Sequence, residues 1–121
     1  MSMDLIRLID KIKKHPDYHQ VGMILCHNGV VRRTSRDGRI VSGLTITVDH
    51  EKLHQVIDEY KTTPGIIEIL VEIAENRNLS VGDDVMFIVV AGDIRERVIS
   101  VMKDTLDAIK RTVTKKTEFF I

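Results

Sequence analysis

Seven consecutive residues without a polar side chain, Val85-Met86-Phe87-Ile88-Val89-Val90-Ala91, constrain this chain more than any other segment. A strand that alternates in polarity can leave one face in water, whereas an unbroken apolar run must be covered on both faces. The run is too short for a buried helix of ordinary length, so it predicts one central strand. The remaining sequence must therefore supply neighbours on both edges and layers on both faces.

Several segments can do so. Leu5, Leu8, Ile9 and Ile12 have helical spacing, with Ser2 as an available cap and His15-Pro16 as a stop. Val21 to Asn28 and Arg39 to Val48 read as strands, the second with Ile40, Leu44, Ile46 and Val48 on one face and Thr45 and Thr47 on the other. Thr34-Ser35-Arg36-Asp37-Gly38 has turn chemistry, so these two strands are expected to form a hairpin. Asp49 can cap a helix carrying Leu53, Val56, Ile57 and Tyr60, which Thr62-Thr63-Pro64-Gly65 stops. Ile66 to Ala74 reads as a strand with Ile67, Ile69, Val71 and Ile73 inward and Glu68 and Glu72 outward; a turn containing Gly82-Asp83 leads into the central run. A last helix opens with Asp93 and Glu96 in capping-box spacing and carries Ile94, Val98, Met102, Leu106, Ile109 and Val113 as one stripe. The order is helix, hairpin, helix, hairpin, helix. It predicts an α+β fold with a mainly antiparallel sheet, as one domain over residues 1–121.

Charge narrows the function. Eighteen basic residues balance 18 acidic ones. Nucleic acid and anionic membrane surfaces usually need a positive excess, so neither is an expected partner. No segment is long and apolar enough to span a bilayer and the N-terminus lacks a secretory core, which makes the cytoplasm the expected compartment. The single cysteine, Cys26, excludes an internal disulfide and a multi-cysteine zinc site; in its apolar strand it reads as a small buried side chain. His50 and His54 stand at i, i+4, but a third ligand at a recognised spacing is missing, so no metal is expected. His15, His19 and His27 form no triad pattern, and Gly29 and Gly38 no phosphate-loop signature.

In a neutral chain, the placing of particular cations stands out. Arg32 and Arg33 end a strand beside a glycine-containing loop, and alternation lets only one of them face a given pocket. Arg95 falls within the arc of the last helix's apolar stripe, in a first turn where the helix dipole disfavours a cation. It is either a snorkelling side chain or an arginine held at a pocket wall to grip a phosphate or carboxylate. Lys110 lies near the edge of the same stripe, and Lys115 and Lys116 follow where the helix should fray. Such lysines either complement the helix dipole or serve catalysis.

Taken together, the segments resemble the large, catalytic subunit of molybdopterin synthase, the MoaE family. The motifs that carry the resemblance are Gly29-Val30-Val31-Arg32, Gly38-Arg39-Ile40-Val41, Leu79-Ser80-Val81-Gly82-Asp83, Ile94-Arg95 and Leu106-Asp107-Ala108-Ile109-Lys110, in family order. The resemblance implies the family's α/β hammerhead fold. It also implies sulfur transfer to a cyclic pyranopterin monophosphate, giving the dithiolene of molybdopterin. The sulfur would arrive as a thiocarboxylate on the C-terminal Gly-Gly tail of a small ubiquitin-like carrier subunit. Arg32 or Arg33, Arg39 and Arg95 would bind anionic groups, Lys110 would be catalytic, and Lys115 or Lys116 would be a second functional lysine. No cofactor is implied. A homodimer whose pockets draw on both protomers, and a heterotetramer with the carrier, would be the assembly.

The chain also departs from the family pattern. The loop after Arg32 is one residue longer, Ile46-Thr47 stands where Tyr-Glu is usual, Ile94 replaces a histidine, and Glu75-Asn76 replaces His-Arg. Thr114-Lys115-Lys116-Thr117-Glu118 lacks the usual Pro and Trp and is two residues shorter. The alternative reading is therefore a catalytically weakened relative that binds the carrier or a pterin phosphate.

Overall fold

The computed structural model describes residues 3–121. Helix α1 (Leu5–Lys13) is capped by Asp4, whose carboxylate accepts from the Ile6 and Arg7 N–H groups; Ser2, the expected cap, lies outside the described residues. After a 3-10 turn at Tyr18–Gln20 come β1 (Met23–Val30), β2 (Val41–Val48), α2 (His50–Lys61), β3 (Ile66–Ile73), the short β4 (Leu79–Ser80) and β5 (Asp84–Gly92). Helix α3 (Arg95–Ala108) passes into a wide π-type turn (Ile109–Val113) and then into β6 (Thr114–Phe120).

The apolar run is the centre of the molecule. Strand β5 lies between β1 and β3, antiparallel to both. Met86, Ile88 and Val90 face a core completed by Leu53 of α2 and Val98, Val101 and Met102 of α3, while Phe87, Val89 and Ala91 pack under Leu8 and Ile12 of α1. Ile88, Val89 and Val90 retain no solvent exposure. Burying each such side chain contributes about 1.5–3 kcal/mol, so this strand anchors both layers.

The first expected hairpin is not formed. Strand β2 is instead the middle of a second antiparallel sheet, in the order β4-β2-β6. The turn residues fold on themselves, with Ser35 N–H donating to Arg39 O, Gly38 N–H to Ser35 O, and Thr34 bridging Ile40. The chain then leaves β1 for the other sheet, where Leu44 and Ile46 of β2 join Val31, Ala74 and Leu79 in a cluster between the sheets. The β3–β5 pairing is as expected, but a register shift between Ile66 and Glu68 changes which residues point inward. Ile66, Ile69, Val71 and Ile73 reach the main core, and Ile67 does not. Glu68 and Glu72 are half-buried, paired with Lys61 and Arg7.

The ends of α3 differ from expectation too. No capping box forms: Ile94 is the cap residue without a side-chain cap bond, and Asp93 turns to Ile94 N–H and to Arg97 at 3.3 Å. Asp93 is committed elsewhere, because its N–H donates to Gly65 O and its carboxylate fills the space a Gly65 Cβ would occupy, 2.3 Å from Oδ1. At the other end the chain does not fray. Ile109 and Val113 of the π turn are buried, and β6 follows at once. Cys26 is exposed rather than buried, because the α1 cluster covers Ile24 but stops short of Cys26 on this edge strand.

Candidate functional site: the basic end of α3

Strand alternation decides what faces the end of α3. Met23 and Leu25 of β1 pack into the main core, so His27 and Gly29 continue on that same side. His27 is half-buried, and its Nε2 lies 3.2 Å from the point where a Cβ on Gly29 would sit. Burial, and next the positive charge of Lys110, push its pKa below the ordinary 6.5. Lys110 itself is exposed, carried on the π turn beside the buried Ile109. Wide turns of this type recur at functional positions because they reset side-chain direction within a helix.

Arg111, the residue after Lys110, opens onto a groove of about 630 Å³ that neither Lys110 nor His27 lines. Lys52 of α2, Arg111 of the π turn and Lys115 of β6 line it, together with Asp49 and the hydroxyl-bearing Thr47, Thr112 and Thr114. Three cations with one carboxylate and three hydroxyl groups make a surface suited to an anion. The groove also separates the two neighbouring lysines. Lys115 pairs in register with Thr47 and lines the groove; Lys116 lies on the other face of β6 and reaches Glu118 at 4.0 Å.

The other sequence-selected cations are not gathered there. Arg95 is not on an inner face: its side chain is 75% exposed, with Glu96 at 3.6 Å as its neighbour. Fifteen positions of helix and turn separate Arg95 from Lys110, which places them roughly 20 Å apart along the axis. One protomer therefore cannot bring both to one small ligand. Arg32 and Arg33 lie just past β1 rather than closing it, and both are exposed. The Arg32 Nε donates to Thr34 O at 2.7 Å, while Arg33 contributes its carbonyl to Val41 N–H. Arg39 stacks on the Phe120 ring, 3.5 Å from its centroid. That is five residues along β6 from Lys115, or roughly 17 Å.

His27, Lys52 and Arg111 are the residues that sequence reasoning missed. Period-two alternation after Met23 and Leu25 would have found His27; nothing in the sequence joins Lys52 to Lys115. His50 is paired with Glu75, Nε2 to Oε1 at 2.8 Å, and His54 lines a separate groove. Among the described residues no three His, Cys, Asp or Glu side chains gather as a metal set. Among them, too, no helix is long and apolar enough to cross a membrane.

A family model described as MoaE protein matches residues 3–112, nearly the whole chain. The chain belongs to the MoaE family. Solved structures agree on the fold. A molybdopterin synthase structure from Staphylococcus aureus is 22% identical, with a TM-score of 0.73 over 84% of this chain and 77% of that one. A molybdopterin biosynthesis MoaE protein from Burkholderia ambifaria MC40-6 is 16% identical, with a TM-score of 0.77 over 100% of this chain and 84% of that one. A complex of subunits 1 and 2 of molybdopterin-converting factor from Helicobacter pylori 26695 is 14% identical, with a TM-score of 0.73 over 98% and 80%. No curated protein sequence matches the chain. The MoaE match ends at residue 112, so it takes in β2, α2 and most of the π turn but none of β6, which carries Lys115.

Proposed function

We propose that this MoaE-family protein serves molybdenum cofactor biosynthesis as the large subunit of a molybdopterin synthase. It would transfer sulfur from the thiocarboxylated Gly-Gly tail of a small ubiquitin-like carrier to a cyclic pyranopterin monophosphate. The observation that carries this reading is a groove lined by Lys52, Arg111 and Lys115, with Lys110 next to Arg111 on the same π turn. A phosphate and a developing oxyanion both need positive charge held at a fixed place. The complex of two subunits known from Helicobacter pylori supports a protein partner of the carrier kind.

In this reading Lys110 stabilises the charge that builds on the carrier carbonyl, Lys115 and its neighbours hold the phosphate, and Arg95 completes the pocket from a second protomer. Arg32 or Arg33 and Arg39 are outer contacts for the substrate or the carrier tail, and Lys116 supports Lys115 from the far face of β6. The distance between Arg95 and Lys110 favours a homodimer with shared pockets, and a heterotetramer once two carriers bind. The whole chain, residues 1–121, acts as one domain, and its exposed free thiol suits a reducing cytoplasm.

The test mixes the protein with thiocarboxylated carrier and pterin precursor and measures dithiolene product. Product formation that falls about 100-fold or more in Lys110→Ala supports the reading. Carrier binding without product favours the second reading, a binding module, which the missing Pro and Trp before β6 recommend. Absence of both binding and product sinks both.

A further inference from the structure

The sulfur transfer proposed above leaves a chemical task that the cations alone do not perform. When a thiocarboxylate sulfur bonds to a pterin carbon, the carrier becomes attached to the pterin as a thioester. Releasing it requires water to attack the carrier carbonyl and lose a proton. Lysine and arginine held as cations cannot accept that proton.

We infer that His27 is the general base for this release, taking the water proton on a ring nitrogen while the Lys110 ammonium of the π turn faces the carbonyl oxygen. The inference rests on the function proposed above. Its geometry comes from three placements. His27 sits on the face of β1 that looks toward the end of α3, two residues beyond the core-packed Leu25. Gly29 has no side chain, and Nε2 lies folded toward it, 3.2 Å from where a Cβ would be. Lys110 is close enough on the π turn for its charge to act on the ring.

The surroundings keep the imidazole in the required form. Its β5 partner in the register is the apolar Ile88, and Gly29 faces Met86. From α3 and the π turn, Lys110 is the charged group that acts on it; Lys103 and Asp107 of α3 are paired with each other, and both are exposed. Burial and a neighbouring cation both oppose protonation, so the ring is neutral and free to accept a proton near pH 7. The balance is complete without a further reactant. Water oxygen bonds to the carbonyl carbon as its proton passes to His27. The acyl C–S bond then breaks, the sulfur leaves on the pterin and takes the proton back, and the carrier departs as a carboxylic acid that ionises.

The test is a single turnover with thiocarboxylated carrier and pterin precursor, quenched at intervals and read by mass spectrometry for the carrier–pterin thioester. His27→Phe and His27→Gln are compared with wild type and with Cys26→Ser, a control on the exposed face of the same strand. Both His27 variants should bind carrier normally, accumulate the thioester and release it about 100-fold or more slowly. Wild-type release should slow as pH falls through and below 6.5, the ordinary histidine value, and this dependence should vanish in both variants. His27→Gln retains hydrogen bonding, so the comparison holds even if the phenylalanine variant folds poorly. Release at wild-type rate and pH dependence in a folded variant overturns the role of His27 alone. A wild-type protein that forms neither thioester nor product overturns the sulfur-transfer reading, and this inference with it.

Discussion

The two ends of α3 are built on opposite plans. At its start the helix has no side-chain cap, Ile94 is 48% exposed, and Arg95 projects into solvent. At its finish Ile109 is fully buried, the turn widens, and Arg111 is delivered to a groove shared with α2 and β6, with Lys110 beside it in the turn. A buried anchor fixes direction, so the cations beside it are pre-organised, whereas a cation on an exposed first turn pivots freely until something packs on it. The finished end reads as a site within one protomer. The bare end reads as a contribution to a site elsewhere.

Truncating the anchor tests the contrast most severely. Ile109→Ala should cost about 2–5 kcal/mol of stability in denaturant unfolding, because the surrounding core cannot fully collapse. Ile94→Ala, at the exposed end, should change stability by no more than about 0.5 kcal/mol. Equal losses at both ends would break the comparison. Chemistry should divide the same way. Lys110→Ala should lower product formation about 100-fold or more while leaving the thermal midpoint nearly unchanged, since the side chain is exposed.

A smaller effect concerns pH. His27 titrates below its ordinary 6.5 in the folded protein, first through burial and then through Lys110. Near and below pH 6.5 the unfolded chain binds a proton that the folded chain resists. The stability this group contributes is therefore complete above that pH and is lost as pH falls toward the folded-state value. Lys110→Ala should shallow the decline, which urea titrations across that range would record. An unchanged decline in Lys110→Ala would place the lysine charge away from His27. Another small effect belongs to the bare end: Arg97→Ala, which removes an exposed pair with Asp93, should cost less than about 1 kcal/mol.

Much of the fold was legible because β5 has only one solution. An apolar run demands two neighbours and two covers, and the periodic stretches around it supply them. The separation of β1 and β2 into different sheets was not legible. Turn chemistry at 34–38 reports a turn, and a turn does not say whether the chain returns to the strand it left. Ile67 was misplaced by a bulge that no single residue announces. For the site, Lys110 and Lys115 were visible as residue types, but the groove depends on Lys52, brought in from α2 by tertiary packing alone. Arg95 shows the limit of a helical wheel: its angle falls near the stripe, yet the cover at that end of the helix is missing within the protomer.

The central claim is that Arg95 and Lys110, at opposite ends of one helix, act together only across two protomers. Mixing Arg95→Ala and Lys110→Ala proteins, after dissociation and reassociation, tests it directly. Each variant alone should be nearly inactive, and random pairing should restore about a quarter of wild-type product formation, because each mixed dimer then contains one intact site. No recovery, with mixed dimers demonstrated by mass spectrometry, would contradict the shared site.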